Sequence, residues 1–296
     1  MDIEKEKQAI TYLRTLGGNK ENPYYLAYSG GKDSDTILTL AQLAGVSFEA
    51  VHNLTTVDAP ETVYHVRKKG VKIERPERTM WQLIIDKGIP PTRIMRYCCA
   101  ELKERGGQGR KVVTGVRKAE SVARAESSGL VKIIGKPKTM QAKADKIGAE
   151  YETTKQGGLI LNNDNGETRE LVEHCYQQAK VLINPIVEWT DRDVWEFLRY
   201  YNIETNPLYE CGIKRIGCIG CPAASKNQKF LEFAKYPKYK SNYIIAFDKM
   251  LNARKERGMN PLRIDMKSGE EVFAWWIGED INQLSFDDLQ DRVGAK

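Results

Sequence analysis

Short apolar runs alternate with stretches of helical periodicity along the first part of the chain. The run at 23–28 is apolar and rich in aromatic residues, as a buried strand requires, whereas 36–43 has the three- and four-residue spacing of a helix. This alternation predicts an α/β fold with a doubly wound, mostly parallel sheet covered by helices. The predicted elements are strands over 23–28, 48–54, 71–74 and 111–116, and helices over 3–17, 36–43, 60–69 and 79–87.

The alternation is interrupted between residues 125 and 180. This stretch contains Lys-rich segments, the pair Gly157-Gly158 and a turn at 162–166. We therefore predict an inserted elaboration, either a short β-hairpin with arms at 159–161 and 170–172 or an irregular loop.

After the insertion the pattern predicts a strand at 181–186 and a helix at 190–198 with Thr190 as its N-cap. From residue 230 onward, Tyr, Trp and Lys alternate in helical patterns. We therefore predict an α/β domain over 1–226, with a cysteine-rich segment at 207–226, and a small helical C-terminal extension over 227–296.

The composition is that of a folded protein with a sizeable core. Of the 296 residues, 41% are hydrophobic and 29% are charged, which argues against disorder and low-complexity structure. No apolar run approaches the ~18 residues of a membrane span, and the charged N-terminus lacks the apolar segment of a secretory signal. These features predict a cytoplasmic protein with no membrane segment. The net charge of +6 suits a polyanionic substrate or a nucleic acid, although ordinary enzymes also reach it.

A glycine-rich segment lies between the strand at 23–28 and the helix at 36–43. It reads Ser29-Gly30-Gly31-Lys32-Asp33-Ser34. In a parallel sheet, ligands bind at the carboxyl end of a strand, where this segment is expected. Consecutive glycines let backbone N–H groups approach a phosphate, and the helix N-terminus adds partial positive charge. The spacing is neither Walker A nor G-x-G-x-x-G. We therefore predict a phosphate-binding loop of another type.

This hexapeptide resembles the pyrophosphate loop of the PP-loop ATPases, also called adenine nucleotide α-hydrolases. Further segments resemble one branch of that superfamily, the phosphoadenylyl-sulfate (PAPS) and adenylyl-sulfate reductases. The resemblance spans about residues 24–225 in the family's order. The segments that carry it are Thr55-Thr56-Val57-Asp58, Arg96-Tyr97-Cys98-Cys99 with Leu102-Lys103, Thr114-Gly115-Val116-Arg117 with Glu120-Ser121, Asn184-Pro185-Ile186, Asn206-Pro207-Leu208-Tyr209 and Ile216-Gly217-Cys218-Ile219-Gly220-Cys221.

The resemblance implies an adenine nucleotide, either ATP or a sulfonucleotide such as PAPS or adenylyl sulfate. It also implies chemistry at the α-phosphate or at the attached sulfate, with Mg²⁺ bridging the phosphates. Lys32, Asp33 and Arg117 are the implied catalytic residues; Asp33 would act on the phosphates directly or through Mg²⁺, and Arg117 on the leaving phosphates or sulfate. The implied nucleotide-binding residues are Ser29, Gly30, Gly31, Lys32, Asp33, Ser34, Asp58 and Arg117.

Four of the six cysteines form two close pairs. Cys98 and Cys99 are adjacent, Cys218 and Cys221 form a C-x-x-C motif, and 118 residues lie between the pairs. In a protein without an export signal, clustered thiols bind metal or react more often than they form disulfides. Two such pairs can converge on one four-thiolate site that holds either zinc or a [4Fe–4S] cluster. The resemblance to cluster-bearing adenylyl-sulfate reductases favours the iron–sulfur cluster.

Cys211 adds a further candidate ligand. Together with Cys218 and Cys221 it supplies three thiolates within a short segment, an arrangement that resembles the sulfur-insertion proteins of DNA phosphorothioation. Cys175 lies in the predicted elaboration and is interpreted as a buried thiol outside the set. The candidate ligands are thus Cys98, Cys99, Cys211, Cys218 and Cys221, five thiols for four positions, and the sequence does not select the one left over.

The position of the cysteines also bears on the reaction. The resemblance implies that reductases of this family form a thiosulfonate on a cysteine in a C-terminal tail, within a Glu-Cys-Gly sequence. No cysteine follows Cys221, and the Glu210-Cys211-Gly212 sequence precedes the C-x-x-C motif. The absence of a cysteine after Cys221 therefore argues against a plain reductase and favours nucleotide activation with sulfur transfer.

Three functions stay open from the sequence. The first is an enzyme that acts at the α-phosphate, releases pyrophosphate and transfers sulfur beside an iron–sulfur cluster, with DNA or RNA among its acceptors. The second is a thiol-dependent PAPS or adenylyl-sulfate reductase that produces sulfite. The third is a non-catalytic nucleotide- or DNA-binding partner.

A basic segment near the C-terminus bears on the third function. Lys235, Lys238 and Lys240 interleave with Tyr236 and Tyr239, a pattern that fits a nucleic-acid backbone as well as a solvated helix face. A sulfur-donor protein and a second copy of the chain are the other partners that the sequence leaves open.

Overall fold

The computed structural model describes residues 1–262 and 266–278. The chain forms two compact units, each assembled from separate segments. The strands found in the described residues all belong to the first unit. The first unit contains Met1–Asn53, Pro60–Glu74 and Arg105–Ile216, and the second contains Leu54–Ala59, Arg75–Glu104 and the described residues from Gly217 onward.

A mixed sheet forms the centre of the first unit. The strands in the described residues are β1 (Tyr24–Ala27), β2 (Phe48–Asn53), β3 (Lys72–Glu74), β4 (Lys111–Val113), β5 (Val131–Ile134), β6 (Glu152–Thr153), β7 (Leu159–Leu161) and β8 (Lys180–Ile183). Their order across the sheet is β3-β2-β1-β4-β8-β5-β7-β6. The first five strands of this order pair in parallel, and β5, β7 and β6 extend the sheet by antiparallel pairing. The predicted mostly parallel α/β sheet is therefore confirmed.

Helices fill most connections between the strands. In the first unit they are α1 (Ile3–Thr15), α2 (Lys32–Ala44), α3 (Pro60–Lys68), α5 (Val122–Ser127), α6 (Pro137–Ile147), α7 (Gly166–Cys175) and α8 (Asp191–Tyr200). In the described part of the second unit they are α4 (Met80–Lys87), α9 (Lys226–Lys235), α10 (Pro237–Glu256) and α11 (Gly269–Ile277). α2 begins four residues before the predicted helix, because its first turn consists of polar residues of the glycine-rich segment.

The strand order reverses at β1. The chain first places β2 and β3 on one side of β1 and then returns to place β4 on the other side. In doubly wound sheets the crevice at such a reversal is where ligands bind. The glycine-rich segment follows β1, and Gly115 follows β4 so closely that a Cβ atom at Gly115 would lie 2.9 Å from the Asp33 carbonyl oxygen. The segment therefore packs against the end of β4 at the reversal point.

The core of the first unit holds this end of the sheet in place. Leu26 of β1, Ile37 and Leu40 of α2, and Leu13 of α1 are fully buried within one hydrophobic cluster. Burying each side chain of this size contributes roughly 1.5–3 kcal/mol. The buried apolar face of α2 thus fixes the start of this helix. The preceding loop is held in place because it is joined directly to that start.

The predicted β-hairpin in the insertion is wrong in its second arm. Residues 159–161 form β7, which pairs with β5 and β6, whereas 170–172 lie within α7. The turn leads into a helix because the Asn165 side chain accepts the Thr168 N–H and caps the helix N-terminus. The insertion is an antiparallel extension of the sheet together with α5, α6 and α7.

The described part of the second unit is mainly helical. α4 packs against α10, where the Trp81 and Tyr243 rings meet edge to face with centroids 4.9 Å apart. The Trp276 indole N–H donates to the Pro91 carbonyl at 2.7 Å. These contacts join the C-terminal helices to the 75–104 segment, so the compact units divide the chain differently from the boundary expected at residues 226 and 227.

The helices predicted after residue 230 are present as α9, α10 and α11. Residues 263–265 and 279–296 of the predicted extension lie outside the described residues. Among the residues that are described, no helix combines the length and the apolar character needed to cross a bilayer.

Candidate functional site

The segment Ser29–Ser34, called the phosphate loop below, wraps the N-terminus of α2. Gly30 has a left-handed φ of +78°, and Gly31 is the N-cap residue of α2. The Gly31 N–H donates to Ser34 Oγ at 3.0 Å, and the Ser34 hydroxyl donates to the Gly31 carbonyl at 2.7 Å. The backbone N–H groups of Gly30 and Asp33 donate no hydrogen bond to any of the described residues. Such donors at a helix N-terminus are available to an anion.

Two cations lie beside the phosphate loop and pair with two carboxylates. Lys32 is 8% exposed and Arg117 is 1% exposed. Arg117 donates from Nε to Asp33 Oδ1 at 2.7 Å and from Nη2 to Asp191 Oδ1 at 2.6 Å. Lys32 Nζ donates to Asp33 Oδ2 at 3.0 Å and lies 3.4 Å from Asp191 Oδ1. Burial opposes charge on the guanidinium, but Asp33 and Asp191 keep the pKa of Arg117 above its ordinary value.

This arrangement can accept a phosphate by exchange. Asp33 and Asp191 occupy donor positions of Lys32 and Arg117 that phosphate oxygens also suit. The Asp191 side chain is 72% exposed and that of Asp33 is 24% exposed, so Asp191 is the easier of the two to displace. Burial disfavours the charged form of Asp191, but the hydrogen bond from Arg117 and the charge of Lys32 lower its pKa overall. Both carboxylates offer oxygen ligands of the kind that Mg²⁺ prefers.

Two further elements fix the backbone of the phosphate loop. The Tyr209 hydroxyl accepts the Lys32 N–H at 2.9 Å. The Asn206 amide, which is fully buried, donates to the Gly30 carbonyl at 3.0 Å and to Thr62 Oγ1 at 3.0 Å. The loop is therefore held by α3 on one side and by the turn that contains Tyr209 on the other.

The second unit contains both cysteine pairs. Cys98 immediately precedes the π-helical turn Cys99–Lys103. Cys218 forms an isolated antiparallel bridge with Asp58, and its Sγ lies 3.5 Å from Thr55 Oγ1. The hydrogen bond to Cys99, then burial and the charges of the Cys99, Cys218 and Cys221 thiols, raise the pKa of Cys98. The buried Cys98 thiol is thus harder to deprotonate than its neighbour Cys99.

The thiolate form is favoured at Cys99, which lies beside a cation. The hydrogen bond from Cys98, followed by that from Arg96 Nη2 at 3.4 Å, lowers the pKa of Cys99 to about 5. The charges of Cys218, Asp58 and Cys221 raise the pKa of Lys103, so its ammonium stays protonated beside the thiols. Thiolates stabilised in this way are the form that binds metal. Within residues 1–262 and 266–278, no group of three or more His, Cys, Asp or Glu side chains is arranged to hold a metal ion.

Comparison with known proteins identifies the family. Residues 23–224 match the model of the phosphoadenosine phosphosulfate reductase domain. The chain belongs to the phosphoadenosine phosphosulfate reductase family. This membership confirms the resemblance carried by the loop and the segments that follow it.

The proteins similar to this chain include some with and some without an assigned activity. An uncharacterized protein of Methanocaldococcus jannaschii is 26% identical over 259 residues, which are 82% of this chain and 53% of that protein. An adenosine 5'-phosphosulfate reductase of Anoxybacillus flavithermus is 29% identical over 79 residues, 26% of this chain and 34% of the reductase. The phosphate complex of a Candida auris PAPS reductase is 16% identical with a TM-score of 0.42, covering 71% of this chain and 88% of that one. The chain spans about half the length of the M. jannaschii relatives that it matches.

In this member of the phosphoadenosine phosphosulfate reductase family, the predicted site residues fall into two groups. Lys32 and Arg117 both contact Asp33 in the first unit, beside the phosphate loop. Asp58 lies in the second unit, where its carboxylate accepts the Thr55 N–H at 2.6 Å. The second unit also contains Cys98, Cys99, Cys218 and Cys221.

The other two cysteines belong to the first unit. Cys211 is exposed and follows the turn that contains Tyr209. Cys175 is fully buried in the hydrophobic core, as expected for a thiol with a packing role. The structure therefore assigns different surroundings to the five candidate ligands.

Sequence reasoning missed Asp191, Asn206 and Tyr209 as site residues. Thr190 was expected as a helix cap, and its side chain does accept the Asp193 N–H, but nothing in that pattern indicates that the next residue pairs with Arg117. The sequence marks the segment that contains Asn206 and Tyr209 only as one that resembles the family. The signal that could have found Asn206 and Tyr209 is the place of their segment in the family's order, whereas no pattern in the sequence indicates Asp191.

Replacing Gly30 by alanine is expected to distort the phosphate loop. A left-handed φ costs an ordinary residue about 1–2 kcal/mol, and a Cβ atom here would lie 2.7 Å from Thr62 Cγ2. Gly45→Ala is the matched control, because Gly45 ends the same helix at φ +67° and its Cβ would meet nothing within 4 Å among the described residues. Calorimetric titration with pyrophosphate should show weaker binding for Gly30→Ala only, while chemical denaturation should show lower stability for both. Equal pyrophosphate affinity in the two variants would contradict the role of this close approach.

Proposed function

We propose that the chain binds ATP on the phosphate loop and acts at its α-phosphate, releasing pyrophosphate to activate an acceptor for sulfur transfer. The observation that carries the proposal is the pair of buried cations, Lys32 and Arg117, at the N-terminus of α2 where the strand order reverses. Membership in the phosphoadenosine phosphosulfate reductase family supports an adenine nucleotide as the ligand.

Each residue of the loop has a defined task in this proposal. The N–H groups of Gly30 and Asp33 and the Lys32 ammonium stabilise charge on the phosphate oxygens. An acceptor oxygen attacks the α-phosphorus, the bond to the bridging oxygen breaks, and pyrophosphate leaves with that electron pair beside Arg117. Asp33 and Asp191, once released from the cations, would hold Mg²⁺, which neutralises charge on the phosphates.

We further propose that Cys98, Cys99, Cys218 and Cys221 hold a [4Fe–4S] cluster. The donor set suits it, because these are four thiols of one compact unit and their negative charge is offset by Arg96 and Lys103. When bound, such a cluster supplies electron-transfer or sulfur-binding chemistry. Cys211 is left out of this set because its thiol is exposed, whereas Cys98 is buried and the other three are partly buried.

A comparison of two nucleotides tests the proposed reaction. The anaerobically purified protein is incubated with Mg²⁺ and either ATP or PAPS, with bulk RNA or DNA as the acceptor and dithiothreitol as the reductant. We expect pyrophosphate and an adenylylated acceptor from ATP, formed at a rate that exceeds that of the Lys32→Ala variant. Sulfite from PAPS, with no pyrophosphate from ATP, would overturn the proposal.

A sulfonucleotide reductase is the second candidate, favoured by the place of Cys211. This exposed thiol follows Tyr209 by two residues, and the Tyr209 hydroxyl accepts the Lys32 N–H of the phosphate loop. A Cys211 thiolate could attack the sulfur of the sulfonucleotide, breaking the sulfur–oxygen bond and releasing the nucleotide. A dithiol would then reduce the thiosulfonate by two electrons and release sulfite. In that case Cys211→Ser would stop sulfite release, and Cys175→Ser would not.

A further inference from the structure

A buried polar cluster lies directly behind the phosphate loop. Tyr28, the residue before the loop, donates its hydroxyl hydrogen bond to Asp35, the residue after it. His65 of α3 completes the cluster, with Nε2 at 3.1 Å from both carboxylate oxygens of Asp35 and 3.1 Å from the Tyr28 hydroxyl. The side chains of Asp35 and His65 are 0% and 1% exposed, and Tyr28 is 2% exposed. No step proposed for the nucleotide uses any of the three.

The hydrogen bonding of the cluster defines its proton positions. A carboxylate only accepts hydrogen bonds, so His65 Nε2, which faces both oxygens of Asp35, carries a proton and donates it. The Tyr28 hydroxyl donates to the same carboxylate, and burial together with the Asp35 charge raises the pKa of Tyr28. Leaving a buried carboxylate without such donors is costly, which makes the three side chains a mutually dependent group.

The same helix that carries His65 also touches the loop itself. Thr62 and Val66 of α3 limit the space at Gly30, where a Cβ atom would lie 2.7 Å and 3.3 Å from their methyl groups. Asn206 joins the Thr62 hydroxyl to the Gly30 carbonyl. α3 thus contacts the middle of the loop, while the Tyr28–Asp35 hydrogen bond closes its two ends.

We propose that Tyr28, Asp35 and His65 form a buried positioning triad that fixes the backbone of Ser29–Ser34 for anion binding. The hydrogen bond between Tyr28 and Asp35 joins the two ends of the loop, and His65 ties that junction to α3. This inference goes beyond the proposed function, since it concerns how the loop is shaped, but it rests on that function for the nature of the anion. The triad acts through the loop and touches no ligand itself.

Tyr28→Phe tests the triad against a matched control at Tyr24, the first residue of β1, the strand that Tyr28 directly follows. Tyr24→Phe also removes a buried hydroxyl, which donates to the Leu13 carbonyl at 2.9 Å away from the loop. Hydrogen–deuterium exchange without ligand should be faster for a peptide covering 29–34 in Tyr28→Phe and unchanged in Tyr24→Phe. Calorimetry with inorganic pyrophosphate should show about tenfold weaker binding for Tyr28→Phe alone, equivalent to about 1.4 kcal/mol. Both variants should lose stability to denaturant.

Two substitutions of Asp35 provide a rescue test. In Asp35→Asn the side-chain oxygen can still accept from Tyr28, and the amide can donate to His65 in its other tautomer. We therefore expect Asp35→Asn to retain slow exchange and pyrophosphate binding, and Asp35→Ala to lose both. If Asp35→Ala does not fold, the comparison of Tyr28→Phe with Asp35→Asn carries the test.

The outcomes separate this inference from the proposed function. Loop exchange and pyrophosphate affinity that match the wild type in Tyr28→Phe, with stability lowered as in Tyr24→Phe, would make the triad a merely structural cluster and overturn the inference. Pyrophosphate affinity unchanged by Lys32→Ala would instead overturn the phosphate loop itself. In that case faster exchange in Tyr28→Phe would still support the positioning role.

Discussion

Replacing Lys32 by alanine should lower pyrophosphate release from ATP by about 10²–10³-fold, the usual effect of removing one group that stabilises charge in the transition state. The Lys32 ammonium is the cation on the phosphate loop itself, and it contacts both Asp33 and Asp191. The fold should persist, because Arg117 still pairs with both carboxylates after the substitution. Release of radiolabelled pyrophosphate measures the first effect, and circular dichroism with chemical denaturation measures the second.

Lys68→Ala is the control for this substitution. Lys68 is an exposed lysine of the first unit that pairs with Glu204 at 2.7 Å on the surface of α3. We expect turnover equal to that of the wild type, because exposed pairs contribute little. Unchanged turnover in Lys32→Ala, or an equal loss in both variants, would contradict the assignment of the phosphate loop.

Replacing Cys218 by alanine should remove nearly all iron and labile sulfide from anaerobically purified protein, together with its brown visible absorbance. The thiol that is lost is one of four, and the bridge between Cys218 and Asp58 places it beside the other charged groups of the site. A cluster held by three thiolates and no fourth ligand is expected to be lost during purification. Iron, sulfide and zinc analysis with an ultraviolet–visible spectrum measures the outcome.

Cys211→Ala is the matched control for the cluster prediction. Cys211 is an exposed thiol outside the proposed ligand set, so its removal should leave iron content unchanged. Iron lost from Cys211→Ala but retained by Cys218→Ala would contradict the proposed ligand set. One equivalent of zinc and no iron in the wild type would retain a thiolate site and reject the cluster.

Much of the fold was accessible from periodicity. The central strands β1 and β4 are short runs buried on both faces, and such runs are recognisable without knowledge of their partners. The structure of the insertion could not be predicted in this way, because the residue types of its turn at 162–166 occur both in hairpins and at helix N-caps. Only the hydrogen bond from the Thr168 N–H to the Asn165 side chain selects the helix.

The order of residues in the chain thus determined the loop motif, the two cysteine pairs and the alternation of strand and helix, since each depends on neighbours a few residues apart. The tertiary structure alone decided which distant groups meet. Asp191 pairs with Arg117 although 74 positions separate them in the chain, and Asp35 contacts His65 of another helix. Cys211 belongs to a different compact unit from the other candidate ligands. Hydrogen bonds and ion pairs between distant residues leave no periodic trace in a sequence, because they depend on how the elements pack and not on the spacing of residues within an element.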